Sequence, residues 1–232
     1  MIRLDQACVD VPDPANGVRA RRRILGPVNL ELTERRVALV GANGSGKSTL
    51  LRLLNGLVLP DSGRVLVGDL DTRTDGRRIR RQVGFVFTDP LAQLVMATPT
   101  DDIELSLRAS LPDRTQRRTR ARELLAERGL AHLAEQSVYD LSGGERQLVA
   151  LTSVLACEPS VVVADEPTTL LDLRNRNQVR AALGGLSQQV IVATHDLELA
   201  TDADRVIVID GGLVVADDEP AAAIAAYAEL MA

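Results

Sequence analysis

Val37-Ala38-Leu39-Val40-Gly41-Ala42-Asn43-Gly44-Ser45-Gly46-Lys47-Ser48-Thr49-Leu50 reads as an apolar strand running into a glycine-rich turn and then into a helix. Four consecutive apolar residues ended by glycine suit a strand buried on both faces. From Ser48 to Leu57 the spacing turns helical, with Leu50, Leu51, Leu53 and Leu54 on one buried side. The turn itself fits the Gly-x-x-x-x-Gly-Lys-Ser/Thr pattern of a phosphate-binding loop. Its glycines let the backbone N–H groups from Asn43 through Gly44, Ser45 and Gly46 to Thr49 turn inward around phosphates, and the helix that follows aims its positive end at the same anion. Lys47 then reaches the β and γ phosphates, and Ser48 offers a hydroxyl to Mg²⁺. A plain glycine turn with a surface lysine would match the same eight letters. The strand before it and the helix after it favour the phosphate loop.

Val83 to Phe87, Val161 to Ala164, Val190 to Ala193 and Val206 to Ile209 are further short, wholly apolar, β-branched runs, which predict a mostly parallel sheet covered on both faces. Arg3 to Val11 and Val28 to Leu32 alternate instead, the pattern of an N-terminal antiparallel sheet with one wet face. Pro12-Asp13-Pro14-Ala15-Asn16-Gly17 between them is a loop by its turn chemistry, and Arg19-Ala20-Arg21-Arg22-Arg23 extends it as a solvated basic run. Asp89 to Ala156 is rich in Arg, Ala, Leu and Glu, poor in strand formers, and reads as mostly helical. The expected fold is one α/β domain over 1–232: a P-loop NTPase core of RecA-like type at about 1–88 and 157–232, with a helical lobe inserted at about 89–156.

Composition narrows the function. The chain has 232 residues, 45% hydrophobic and 25% charged, enough for a well-buried core in an ordinary globular protein. Aromatics are 2% and Trp is absent, so branched aliphatics and alanine must fill that core. A net charge of -5 provides no basic field for phosphate backbones, which excludes a general nucleic-acid binder. Cys8 and Cys157 offer neither a disulfide framework nor metal-ligand spacing and read as small core residues in a reducing compartment. Apolar stretches such as Leu148 to Cys157 are broken by Thr152 and Ser153 and fall short of the ~20 residues that span a bilayer. Nothing at the N-terminus reads as a signal peptide. The expectation is a cytosolic protein whose membrane role is borrowed from a partner.

Two acids, Asp165 and Glu166, end the run Val161 to Ala164, where burial is costly unless a cation is near. A nucleotide carrying Mg²⁺ supplies that cation. Thr194-His195-Asp196 follows the next buried run; a lone histidine is more often structural, but here it joins an ordered set. Leu141-Ser142-Gly143-Gly144-Glu145 opens a helix towards Ala156. A serine hydroxyl and glycine N–H groups at a helix start form an anion site. This chain's own phosphate loop is too far away to use it, so the site makes sense for a nucleotide presented by a partner subunit.

In that order, the loop at 41–48, Ser142-Gly143-Gly144, Val161 to Glu166 and Thr194-His195-Asp196, the chain resembles the ATPase subunit of ATP-binding cassette (ABC) systems along nearly its whole length. The resemblance implies ATP and Mg²⁺ as cofactors. Lys47, Glu166 and His195 would be catalytic, with Glu166 polarising the attacking water and His195 contacting the γ-phosphate. Asp165 would hold the metal, usually through water, beside Ser48. Asp172, in Thr169-Leu170-Leu171-Asp172, resembles the loop that touches the opposite site of a head-to-tail dimer. Two departures stand out. Thr88 replaces the glutamine that ends the strand Val83 to Phe87 and links metal and water to the membrane partner, so Thr88 is the candidate metal contact there. Near Val11, where an aromatic residue stacks on adenine in the family, this chain has none before Phe85.

Softer signals narrow the system. Thr88-Asp89-Pro90-Leu91-Ala92-Gln93-Leu94, followed by Asp101-Asp102-Ile103, resembles a stretch of the energy-coupling-factor vitamin and metal importers, and Thr168-Thr169-Leu170-Leu171-Asp172-Leu173-Arg174-Asn175 is most similar to their biotin branch. Such a subunit would pair as a homodimer or with a paralogous ATPase, beside a transmembrane coupling subunit and a substrate-binding membrane subunit, peripherally on the inner face of the cell membrane. Asp89, Asp101 and Asp102 would receive the basic cytoplasmic helices of that partner. A cobalt or nickel importer is the nearest alternative. A non-transport ABC ATPase of DNA repair or translation would carry a long coiled-coil insert or two cassettes, and neither is present; an adenylate-kinase-like enzyme leaves Ser142-Gly143-Gly144 unexplained.

Overall fold

The computed structural model describes residues 1–232 except 14, 16, 18 and 19, so part of the loop expected over 12–17 and Arg19 of the basic run lie outside the described residues. In chain order the elements are β1 (Ile2–Pro12), β2 (Arg21–Leu32), β3 (Arg36–Val40), α1 (Lys47–Leu54), β4 (Ser62–Val67), β5 (Leu70–Asp71), α2 (Gly76–Gln82), β6 (Val83–Val86), α3 (Pro99–Ser106), α4 (Arg114–Glu127), α5 (Gly143–Leu155), β7 (Val161–Asp165), α6 (Leu173–Gly184), β8 (Gln189–Ala193), α7 (Leu197–Ala200), β9 (Arg205–Asp210), β10 (Leu213–Asp218) and α8 (Pro220–Leu230).

The larger sheet runs β10-β9-β3-β8-β7-β6, parallel throughout except for the β9–β10 hairpin. Its apolar runs are continuous because both faces are covered, and successive side chains alternate between them. Val37, Leu39, Val163, Ile191 and Ile207 face α1 and the second sheet. Ala38, Val40, Val162, Val190, Val192 and Val206 face Leu151 and Leu155 of α5, Val179 and Leu183 of α6 and Ala223 of α8. On α1 the four expected leucines, Leu50, Leu51, Leu53 and Leu54, are fully buried, each stabilising the fold by about 1.5–3 kcal/mol relative to exposure.

The second sheet is antiparallel, ordered β2-β1-β4-β5, and shares the core of α1 through Ile2, Leu4, Leu25 and Val65. A third cluster, from Leu94 and Ile103 through Leu125 to Leu141 and Val149, packs α3, α4 and the outer side of α5 together.

Several local expectations change. Arg21–Arg23 are strand, not loop: they open β2 opposite β1, with Arg23 bonded to Asp10 and Arg21 to Asp61. The charges of Arg21 and Arg23 are balanced by these acids, which the basic run by itself does not announce. The helix expected to reach Leu57 stops at Leu54, with Asn55 as its C-cap and Gly56 at φ +69°. Cys8 is buried as expected, whereas Cys157 is exposed just past the end of α5.

Candidate active site

The functional side chains gather at one end of the parallel sheet because four neighbouring strands, β3, β8, β7 and β6, finish there. Ligands of α/β sheets bind outside the carboxyl ends of strands. Beyond β3 comes the loop 41–46, beyond β8 Thr194 and His195, at the end of β7 Asp165 and Glu166, and beyond β6 Thr88. The loop is tight. Gly46 has φ +113°, and a Cβ on it would sit 3.1 Å from Leu25 Cδ1 and 3.2 Å from the Ile24 carbonyl, so only glycine lets β2 pass this close. Asn43 and Gly44 form its exposed tip, and Ser45 is buried with its hydroxyl unpartnered.

Two observations fit a bound polyphosphate. α1 starts from Gly46 without any side-chain cap, leaving the N–H groups of its first turn, Lys47, Ser48 and Thr49 among them, to an external acceptor. Lys47, 5% exposed, holds its ammonium against the loop, donating to the carbonyls of Gly41 at 2.7 Å and Ala42 at 3.1 Å. That ammonium also lies 3.7 Å from Glu166 Oε1. A buried cation here is stabilised by these oxygens and by any anion placed in the loop.

The acids occupy different environments. Asp165 is 2% exposed; burial pushes its carboxyl above the usual carboxylate range, against the pull of the Ser48 hydroxyl and Arg52. Ser48 Oγ donates to Asp165 Oδ1 at 2.8 Å, and Arg52 stands 3.8 Å from Oδ2. These two oxygen ligands suit Mg²⁺, which keeps several waters and takes the rest of its shell from phosphates. Among the described residues no cluster of three or more His, Cys, Asp or Glu side chains forms a metal cage. Glu166 adopts φ +50°, an uncommon backbone for a non-glycine residue that aims its carboxylate at the strand beside it. Its N–H donates to the Ala193 carbonyl, and its Oε2 accepts from the His195 N–H at 3.2 Å and meets His195 Nδ1 at 2.7 Å. Because a carboxylate only accepts, Nδ1 carries the proton and Nε2 is the nitrogen left to face a substrate. Thr88 Oγ1 donates to the Asp165 carbonyl at 2.9 Å, so its one proton is spent and only its lone pairs remain for a metal-bound water.

The structure therefore brings Lys47, Ser48, Thr88, Asp165, Glu166 and His195 together. Ser142, Gly143 and Gly144 belong to a second place, the start of α5, where Ser142 caps the helix and shares a reciprocal capping box with Glu145. Ser142 Oγ donates to Glu145 Oε2 at 2.7 Å, and the hydrogen bonds from Ser142 hold Glu145 below the usual carboxylate range. Asp172 is the N-cap of α6 and accepts from Asn175, so its carboxylate serves its own chain in this form. Leu170, two residues before it, is fully exposed at φ +63°. The sequence reading missed Arg52 beside Asp165 and the role of Glu145. The Ser-x-x-Glu spacing at 142–145 was the available signal for the latter.

The ABC transporter family model matches residues 25–169. A biotin transport ATP-binding protein of Rhizobium etli is 42% identical over 211 residues, spanning 91% of this chain and 94% of its own. An energy-coupling factor transporter ATP-binding protein of Halalkalibacterium halodurans is 41% identical over 190 residues, spanning 80% and 68%. A solved dimer of an ATP-binding cassette in a post-hydrolysis state, bound to ADP and Pi, superposes with a TM-score of 0.85 at 29% identity, covering 95% of this chain and 99% of that one.

Proposed function

Because this chain belongs to the ABC transporter family as an ATP-binding subunit, we propose that it dimerises head to tail around two ATP molecules and powers an energy-coupling-factor importer whose cargo is biotin. The observation that carries the chemistry is the Lys47–Glu166–His195 arrangement at the uncapped start of α1. Lys47 leaves the loop carbonyls for the β and γ phosphates, where its charge is worth more. Ser48 and Asp165 would hold Mg²⁺, which supplies neutralisation of phosphate charge when bound. Glu166 polarises the attacking water and is kept in place by the two His195 donors. Ser142, Gly143 and Gly144 complete the partner's site with the N–H groups at the start of α5, and Asp172 approaches that site from α6. Closure brings the two halves together and hydrolysis releases them.

The cargo reading draws on the relatives: the Rhizobium etli protein is named for biotin transport and the Halalkalibacterium halodurans protein for an energy-coupling factor transporter. The partners in this reading are a transmembrane coupling subunit and a substrate-binding membrane subunit, with this chain peripheral on the cytoplasmic face. The docking surface needs correcting from the aspartates named above. Asp102 is 4% exposed and accepts from the N–H groups of Val95 and Met96, and Asp101 is paired with Arg118. Only Asp89 stays exposed, as the cap of the 3-10 turn Pro90–Ala92. Apolar side chains offer the broader contact: Leu57, Val95, Met96 and Leu105 are exposed, and the first, second and fourth line the same groove of about 290 Å³. Co-expression of this chain with the two membrane subunits should give a complex that takes up radiolabelled biotin on ATP. A complex that forms but transports cobalt or nickel instead would replace the cargo, and no complex at all would remove the importer.

A second test concerns the base. Val11 pairs with Arg22 on β2, and no aromatic residue precedes Phe85, so the ~1–3 kcal/mol that base stacking contributes per base is missing on this side. ATP and GTP should be hydrolysed at rates within about fivefold of each other in direct competition. A strong preference for ATP would mean that a cation of the β2 start grips adenine, with Arg22 the first to substitute, since Arg21 and Arg23 are tied to Asp61 and Asp10.

A further inference from the structure

Phe87 lies just past the last rung of β6, an edge strand whose pairing with β7 ends at Val86 and Ala164. Its two backbone groups are nevertheless both bonded, and both to glutamines. The Phe87 N–H donates to Gln93 Oε1 at 3.2 Å, and the Phe87 carbonyl accepts from Gln147 Nε2 at 3.3 Å. Gln147 lies in the second turn of α5 and is 3% exposed. Gln93 Nε2 in turn donates to the Ala150 carbonyl of the same helix, at 3.1 Å. The two peptide units that flank Phe87 are thus both tied to α5, the first through Gln93 and the second directly by Gln147. The next residue is Thr88, whose hydroxyl holds the carbonyl of Asp165. Since a peptide unit is a rigid plane, the Phe87 carbonyl and the Thr88 nitrogen move as one body. The line from α5 through Gln147, Phe87 and Thr88 to Asp165 contains no flexible link except the side chains themselves.

We propose that Gln147 is a positioning residue that ties the helix beginning at Ser142 to the acid pair of its own chain, so that a rotation of the helical lobe moves Asp165 and Glu166. This rests on the reading of Asp165 and Glu166 as the hydrolytic pair. An amide is required because the target is a carbonyl, which needs a donor, and because a charged group at 3% exposure would be unpaired. The role differs from ordinary packing in what it predicts. Packing loss lowers stability, whereas loss of this tether separates lobe position from active-site geometry in a protein that remains folded.

The test is a double-mutant cycle in the full chain, read as KM and kcat for Mg²⁺·ATP and as thermal midpoint. Gln147→Met keeps length and removes the donor. It should leave KM within about threefold and lower kcat about tenfold per folded molecule, as expected when a buried carbonyl loses its partner. In the Gln147→Met, Thr88→Val double variant kcat should match the slower single variant, because the two residues act along one line. A Gln147→Met kcat within twofold of wild type, or losses that multiply in the double variant, would overturn the proposal. If Gln147→Met does not fold, Gln147→Leu, which removes the donor without burying a charge, goes through the same cycle with the same criteria. A wild-type chain without ATPase activity would overturn the underlying reading of the acid pair, an outcome visible before any variant is made.

Discussion

Glu166→Gln should bind Mg²⁺·ATP at least as tightly as the wild type, lose turnover by roughly 100-fold or more, the usual contribution of a general base, and elute as a dimer when ATP is present. The geometry gives the reasons in turn. The side chain is nearly isosteric, so its Oε1 can still accept from the His195 N–H, where Oε2 now does at 3.2 Å. What is lost is the negative charge beside Lys47, 3.7 Å away. Removing that charge weakens the competition for the ammonium and leaves it freer for phosphate, so binding does not suffer. The amide cannot take a proton from water, so a closed pair of cassettes holds its γ-phosphate. The His195 Nδ1 contact at 2.7 Å becomes ambiguous, since an amide may present either a donor or an acceptor, and His195→Ala should therefore cost less in the Glu166→Gln background than alone. Gel filtration with and without Mg²⁺·ATP is the measurement. A variant saturated with ATP yet monomeric would remove the two-site arrangement.

Most of the site was legible because its residues sit where strand, loop and helix meet, and such junctions leave marks in sequence. The apolar runs at 37–40, 161–164, 190–193 and 206–209 all became parallel strands, since β-branched residues without a polar face have only a doubly covered sheet to enter. The antiparallel additions were harder. β4 carries Ser62, Gly63 and Arg64, and β10 ends in Asp217 and Asp218; both are edge or half-exposed strands, where charge is tolerated and the alternation is weak. β10 is fixed instead by Arg205, which bonds Asp217 and Glu34 at once, a long-range contact no local pattern encodes. Arg21 and Arg23 were hidden for the same reason, their partners being Asp61 and Asp10. The glutamine clamp on Phe87 lay beyond reach because each glutamine alone looks like a surface residue; only the fold turns both towards one residue's backbone.

Gly144→Ala should unseat the start of α5 and abolish the ATP-dependent dimer, even in a Glu166→Gln background. A Cβ at Gly144 would fall 2.4 Å from Oδ1 and 2.5 Å from Cβ of Asn175, closer than any real contact, and the second of these cannot be relieved by rotating a side chain. Helix α6 must shift or α5 must tilt, a strain of the kind that costs about 1–3 kcal/mol in a packed core and lowers the midpoint of a chain this size by a few degrees, at roughly 2–4 °C per kcal/mol. The functional loss should be larger than the stability loss. Asn175 donates to both carboxylate oxygens of Asp172, from N at 2.8 Å and Nδ2 at 3.0 Å, so displacing it also disturbs the loop that ends at Asp172 and the fully exposed Leu170. One methyl group then disorders both elements assigned to the partner's nucleotide, while leaving the chain's own phosphate loop, which follows β3, able to bind ATP. Asn175→Gly removes the obstructing Cβ, so the Gly144→Ala, Asn175→Gly double variant should melt higher than the sum of the single losses predicts. Equilibrium nucleotide binding, thermal melts and gel filtration separate the three effects. A Gly144→Ala, Glu166→Gln protein that still dimerises on ATP would show that the α5 start does not meet the partner's nucleotide.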